Sequence, residues 1–259
     1  MGSHARTGRI SLEICVESAA GAQAAIAGGA DRLELCAALA LGGLTPSQGL
    51  VAAVLAIAGP AGVPVRAMVR PRAGDFAYDA DMLDLAKAEA AALLAQGVDG
   101  LVFGAARGGV LDVAMLADWV SSLSRAFAPP GLTLHRAVDL LDDPVSAVES
   151  AVALGFDHIL TSGGAPVASD GKRAIAAMVV RAQGRCTIMA GAGVTPDTVA
   201  ALVRDTGVRA VHASASTLGH DGDPAAARLS FGVPPRMTDA GIVARLRHAI
   251  DDISNLGQM

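Results

Sequence analysis

The sequence predicts a single closed (β/α)8 barrel, an α/β fold, and three observations lead to this fold class. Eight short apolar, strand-like runs recur along the chain, and Ala- and Leu-rich stretches long enough for helices separate them. The alternation continues through the 259 residues without a linker or a break in composition. No G-x-G-x-x-G follows the first strand, which disfavours the alternative of an open doubly wound sheet. We therefore expect a flexible tail at residues 1–10 and one barrel domain at residues 11–259.

The eight strands follow from their apolar composition and from the turn that precedes each of them. A helix stop recurs before the second, fourth, sixth and eighth strands, in the segments GGAD, QGVD, LGFD and TGVR. In each segment the glycine is expected to end a helix in the left-handed conformation. The predicted strands are residues 11–16, 32–36, 64–69, 100–104, 132–136, 158–162, 187–191 and 210–214.

Composition excludes several classes of function. The net charge is −5 and lysine and arginine form no block, which argues against a nucleic-acid partner. No apolar run reaches the ~18 residues of a membrane span. Three cysteines and no secretory signal argue against a disulfide framework, so we expect a cytoplasmic protein. The sequence allows a homo-oligomer, either a dimer or a tetramer.

Two of the predicted strands contain a carboxylate followed two residues later by a thiol, in LEIC and LELC. Alternation along a barrel strand sends the aliphatic residues to the helix side, so Glu13 and Glu34 should point into the barrel. Buried charges need partners, and the predicted cations are Arg66 and Arg70 on the next strand. The alternative is an ion-pair network that merely fills the barrel.

Polar residues follow several predicted strands, at the end of the barrel where active sites form. Arg70 and Arg72 suit a carboxylate or a phosphate, because guanidinium groups bind such anions bidentately. A loop fastened by its own Arg–Asp pair is equally compatible with this segment. After the fifth strand, His135 is a candidate for proton transfer and Asp139 for orienting it.

Glycine-rich turns after the sixth and seventh strands provide backbone amides that suit an anion. The candidate substrate-binding residues come from these two turns, from the eighth strand and from three arginines, Arg70, Arg72 and Arg136. The remaining residues are Ser162, Gly163, Gly191, Gly193, His212 and Ser214.

The segments EICVES, ADRLELCAALALGGLTPSQG, MVRPRAGDFAY, LTLHRAVD, ILTSGG and IMAGAGV, in this order, resemble the CutC family of copper homeostasis proteins. The resemblance runs from about Leu12 to Ser214. It implies a cytoplasmic (β/α)8 barrel that binds Cu(I), with Cys15 and Cys36 as the metal ligands. Soft sulfur donors suit Cu(I), although no C-x-x-C or Met-x-x-Met spacing fixes a metal geometry. Cys186 begins the seventh strand, at the opposite end of the barrel, and should be structural.

The residues themselves also support a second class of function. Copper binding needs only the thiols and does not explain why carboxylates, arginines and histidines share their cavity. These groups predict an enzyme pocket for lyase, isomerase or hydrolase chemistry on a small anionic or sugar-like molecule. The candidate catalytic residues are Glu13, Glu34, His135 and Asp139, and no organic cofactor is predicted.

Overall fold

A computed structural model describes residues 9–123, 129–219, 225, 228–229 and 236–256 of the chain. The predicted tail does not extend to residue 10, because Ile10 is buried and Arg9 lies 3.1 Å from the Asp31 carboxylate. The rest of that tail, residues 1–8, lies outside the described residues. Within the part of the chain described, no helix is both long and apolar enough to span a membrane.

Eight parallel strands form the barrel: β1 (Ser11–Val16), β2 (Arg32–Leu35), β3 (Val65–Met68), β4 (Gly100–Phe103), β5 (Gly131–Leu134), β6 (His158–Thr161), β7 (Thr187–Ala190) and β8 (Ala210–Ala213). Each strand pairs with its neighbours in sequence, and β8 pairs with β1 to close the ring. The closed ring confirms the predicted fold class and excludes the open doubly wound sheet. Every strand lies within two residues of its predicted bounds.

Helices surround the barrel: α1 (Ala19–Ala27), α2 (Gln48–Ala61), α3 (Ala80–Ala95), α4 (Val113–Ser122), α5 (Ala147–Ala153), α6 (Lys172–Ala182), α7 (Val199–Thr206) and α8 (Ala240–Leu256). The four predicted helix stops are confirmed, because their glycines have φ between +72° and +93°. Residues with a Cβ adopt this conformation only with strain. These glycines are Gly29, Gly97, Gly155 and Gly207.

Alternation along the strands separates an apolar face from a polar one. Leu12, Ile14 and Leu33 are fully buried in the apolar cluster that also includes residues of the surrounding helices. Glu13 and Glu34 are buried on the opposite face, inside the barrel. The barrel interior is therefore polar near its centre, and its charged groups must neutralise one another.

The chain after β8 adds a small antiparallel sheet, in which Ser216–Leu218 pairs with Arg236–Thr238. Helix α8 begins directly after it, where the Asp239 carboxylate accepts a hydrogen bond from Ile242 N at 2.8 Å. This C-terminal segment, residues 216–218 with 236–256, packs on α1 and α7. The sequence patterns do not predict its two short strands.

Candidate active site

Four charged side chains meet inside the barrel. Strand register brings them together, because Glu13 lies opposite Arg32 on β2 and opposite His212 on β8. The Glu13 carboxylate accepts hydrogen bonds from Arg32 Nε and, at 2.8 Å, from His212 Nδ1. Glu34 completes the cluster, with its Oε2 atom 3.9 Å from His212 Nε2.

Burial and charge give the two carboxylates opposite pKa shifts. Burial raises the pKa of Glu34, because desolvation disfavours the ionised form. Burial acts on Glu13 in the same direction, but Arg32 and His212 outweigh it and hold the pKa of Glu13 well below its usual range. Burial disfavours the His212 cation, yet Glu34, Cys15 and Glu13 together raise the pKa of His212 well above 6.5. At neutral pH the cluster therefore holds a carboxylate at Glu13, an imidazolium at His212, and at Glu34 a carboxyl group with a raised pKa.

The cations that neutralise this cluster are not those predicted from the sequence. Arg66 donates to Asp157 at 2.6 Å and to Thr133 at 2.7 Å, and not to Glu13 or Glu34. The His158 ring connects it to the cluster, with one ring nitrogen 3.2 Å from Arg66 and the other 3.1 Å from Arg32. Arg70 lies over the Phe76 ring and donates to the carbonyl groups of Leu41, Gly43 and Gly74. The prediction that Arg66 and Arg70 pair with the two carboxylates is wrong. Arg32, at the start of β2, fills that role.

His135 is buried beside the Phe76 ring at the end of β5. Its Nδ1 atom accepts a hydrogen bond from Ala137 N at 3.1 Å, so the ring proton lies on Nε2. No described residue accepts a hydrogen bond from that Nε2 atom. Burial and the Arg70 charge lower the pKa of His135 to about 3. His135 is therefore a neutral donor at neutral pH, and the predicted role as an acid–base residue does not fit it.

Asp139 does not orient His135. Its carboxylate accepts a hydrogen bond from Arg136 Nε at 2.7 Å. It also accepts hydrogen bonds from Thr161 Oγ1, Ser162 N, Ser162 Oγ and Gly164 N. Its partners are Arg136 and the loop after β6, so the prediction that Asp139 orients His135 is wrong.

The backbone amides predicted to hold an anion are mostly occupied. Ser162 N donates to Asp139, and Gly163 N donates to Thr161 Oγ1 at 2.8 Å. Gly191 N donates to the Thr161 carbonyl at 2.9 Å. These three amides are therefore not available to a ligand. Gly193 is the member of the predicted set whose amide has no acceptor among the described residues.

Arg72 lies outside the cavity and fastens its own loop. Its guanidinium donates to the Asp75 carboxylate at 2.7 Å and lies over the Tyr78 ring. Of the two interpretations that the sequence left open, the loop-fastening pair describes Arg72. Arg70 alone of the two arginines reaches the cavity.

A cavity of about 470 Å³ opens at the carboxyl ends of the strands. Cys15, His135, Gly193 and Ser214 line it, together with six charged residues. Among the described charged residues that line it, Glu34 is the sole carboxylate, against four arginines and the His212 imidazolium. The set is Glu34, Arg70, Arg136, His212, Arg236 and Arg245. The cavity therefore suits an anion, and the sequence patterns missed Arg236 and Arg245.

The predicted copper ligands lie near this cavity but differ in access. Cys15 lines it, and its Sγ atom lies 3.7 Å from the Ala213 carbonyl. Cys36 is fully buried beside Met68 and donates to Glu34 Oε2 at 3.6 Å. Burial and the Glu34 charge raise the pKa of Cys36 well above 9.0. Both thiols are therefore close to the acidic cluster, and Cys36 is held in its protonated form.

The fold and the site define a (β/α)8 barrel protein with a small-molecule cavity at the carboxyl ends of its strands. Comparison with known proteins gives the family. The sequence model of the CutC family matches residues 10–217. The chain belongs to the CutC family, as its sequence motifs indicate.

Relatives and a solved structure agree with this assignment. A CutC family protein of Sinorhizobium medicae is 45% identical over 95% of this chain and 98% of its own. One of Caulobacter vibrioides is 46% identical over 91% of this chain and 94% of its own. A crystal structure described as a copper homeostasis protein CutC, from Streptococcus agalactiae, has a TM-score of 0.74 and 28% identity. It covers 79% of this chain and 98% of that chain.

Proposed function

We propose that this chain is an enzyme that transfers a proton to or from a small anionic molecule, in an isomerase, lyase or hydrolase reaction. One observation carries the proposal. Three buried polar atoms of cavity-lining residues, Glu34 Oε1, Arg70 Nε and His135 Nε2, have no hydrogen-bond partner in the described part of the chain. Buried polar atoms are nearly always paired, so a ligand with oxygen atoms is the natural partner of all three.

The charge cluster gives each residue a separate task. Glu34 has a raised pKa and borders the cavity, so its carboxyl group is the proposed proton donor or acceptor. The His212 imidazolium lies beside it and stabilises negative charge that develops on the substrate. Glu13 and Arg32 do not line the cavity and act as positioning residues, because they hold His212 in place and in its charged form.

The opposite wall binds the substrate. His135 donates from Nε2 to a substrate oxygen without changing its own charge, because the pKa of His135 is lowered to about 3. Arg70 supplies a positive charge that no carboxylate neutralises among the described residues, and that charge attracts the anion. The substrate is thus held between His135 and Arg70 on one side and the Glu34 carboxyl group on the other.

Exchange of a substrate C–H hydrogen with solvent tests the isomerase and lyase forms of this proposal, because both remove a proton from carbon. Small carboxylates, sugars and sugar phosphates that raise the melting temperature are incubated with the protein in D2O. Loss of a substrate C–H signal in the proton NMR spectrum reports proton transfer. Glu34→Gln should reduce the exchange rate by about 100-fold or more, and His212→Asn should also reduce it, whereas Cys186→Ser should not. Equal rates in Glu34→Gln and in the original protein would contradict the proposal.

Copper binding is the second candidate function, and it rests on the sulfur atoms. Cys15 lies in β1, Met68 lies in β3 and Cys36 directly follows β2, and their soft donors fit Cu(I). The cytoplasm, where thiols stay reduced, is the proposed location for either function. The surroundings fit Cu(I) less well, because the arginines repel a cation and the Cys36 thiol holds its proton.

A competition titration distinguishes specific copper binding from adventitious binding. Cu(I) is titrated into the reduced protein in the presence of a chromogenic chelator. If copper is bound specifically, the Cys15→Ser, Cys36→Ser double variant should lose the site. Cys186→Ser is the matched control, because this cysteine directly precedes β7 at the far end of the barrel. Unchanged affinity in the double variant would exclude these thiols as ligands.

A further inference from the structure

The C-terminal segment forms part of the cavity wall. Arg236 from its short strand and Ile242 and Arg245 from α8 all line the cavity that contains Glu34. All three residues follow residue 217, where the match to the family ends. The alignment with the Sinorhizobium medicae relative nevertheless covers 95% of this chain and therefore includes this wall.

The two arginines of this wall form no ion pair with a described acidic residue. No carboxylate of the described residues lies within ion-pair distance of Arg236 or Arg245. Arg236 donates from Nε and one terminal nitrogen to Ser216, at 3.0 and 2.7 Å, which fixes the direction of its guanidinium. The proposed anion thus finds two positive charges at this side of the cavity that have no ion-pair partner among the described residues.

The loop after β7 adds backbone donors to the same wall. Ala192 and Gly193 have φ of +77° and +68°, and together with Val194 they line the cavity. The amides of these three residues have no acceptor in the described part of the chain, whereas the next amide, Thr195 N, donates to Thr198 Oγ1. The left-handed backbone at the non-glycine residue Ala192 is strained, and such strain accumulates at ligand sites.

We propose that these groups form a phosphate subsite, so that the substrate is a small phosphomonoester whose reacting end lies at Glu34. The identity of the reacting end rests on the proposed function, but the subsite does not. A phosphomonoester carries a charge of about −1.5 to −2 at neutral pH and three acceptor oxygens. The two guanidinium groups balance the negative charge of the phosphate, and the three backbone amides provide one donor for each of its three oxygens. A carboxylate has half the charge and two oxygens, and it would leave donors unused.

Ligand pairs that differ only in the phosphate group test the subsite. Ribose 5-phosphate, ribose, gluconate and inorganic phosphate are titrated calorimetrically into the full chain. We expect binding of ribose 5-phosphate and of inorganic phosphate, and no detectable binding of ribose. Arg236→Ala, Arg245→Ala should weaken ribose 5-phosphate at least about tenfold, since charge-assisted hydrogen bonds are the strong ones. Arg173→Ala, Arg204→Ala is the control, because it removes the same charge from α6 and α7, at two residues that do not line the cavity.

The outcomes separate this subsite from the proposed function. An equal loss in the two double variants would show an effect of net charge alone and would overturn the subsite. Binding of gluconate as tight as that of ribose 5-phosphate would overturn the preference for phosphate. His212→Asn should keep its phosphate affinity while it loses exchange activity. Phosphate affinity that depends on Arg236 and Arg245, without exchange of any phosphomonoester, would refute the proton-transfer function and leave the subsite intact.

Discussion

Arg32 is the cation on which the buried charge cluster depends, and replacing it tests the account of that cluster. Arg32→Met removes the charge and keeps much of the apolar stem, so Glu13 keeps His212 as its charged partner at a fully buried position. Removing one partner of a buried ion pair costs about 3–5 kcal/mol. Because the His212 bond remains, we expect the lower end, about 3 kcal/mol, which is a large part of a typical folding free energy.

The lowered pKa of Glu13 predicts how the stability deficit of Arg32→Met changes with pH. A carboxylate whose folded pKa is lowered contributes stability that is present above its unfolded pKa and is lost as the pH falls towards the folded value. Glu13 has a lowered pKa against an ordinary value of 4.5, and Arg32 is the largest cause of the lowering. The deficit of Arg32→Met should therefore be full at pH 7 and should shrink as the pH falls below 4.5.

Urea unfolding at pH 7 and at about pH 4 measures both effects. Arg181→Met is the control, because the Arg181–Glu149 pair is exposed and should contribute little to stability. The double variant Glu13→Gln, Arg32→Met should be more stable than Arg32→Met alone, since it removes the unpaired charge. A deficit no larger than that of the control, or one that does not change with pH, would refute this account of the cluster.

Two further predictions concern the histidines and the turn beside them. In nitrogen-15 NMR spectra, His135 should remain neutral with its proton on Nε2 between about pH 5.5 and pH 8, because its pKa is lowered to about 3. His212 should titrate above 6.5, because Glu34, Cys15 and Glu13 raise its pKa. A titration of His135 in this range, or of His212 below 6.5, contradicts the assignment. Gly104→Ala should cost about 1–3 kcal/mol in urea unfolding, because the added Cβ would lie 2.6 Å from His135 Nδ1. Gly49→Ala on α2, which has open space around it, should be neutral or stabilising.

The fold was predictable because its signals are local. Each strand is an apolar run of a few residues, and each of the four glycine stops ends a helix within one turn. The inward direction of Glu13 and Glu34 also follows locally, because neighbouring residues alternate between the two faces of a strand.

The site was only partly predictable because its pairings are not local. Arg32 and Arg70 both lie at the edges of predicted strands, and alternation alone does not choose between them as the partner of Glu13. Register across β1, β2 and β8 makes that choice, and register is a property of the closed barrel. Arg236 and Arg245 reach the cavity from a strand of 3 residues, too short to recognise in the sequence, and from the first turns of α8.

The bond between Glu13 and His212 joins the first and last strands of the barrel, 199 residues apart. During translation at about 5–20 residues per second, β1 therefore leaves the ribosome about 10–40 s before β8. Throughout that interval β1 presents an unpaired edge, and Glu13 lacks one of its two cationic partners. Closure of the ring removes the exposed edge and completes the neutralisation of Glu13 in one event. Nascent chains can therefore pair with one another through the β1 edge until β8 has been synthesised.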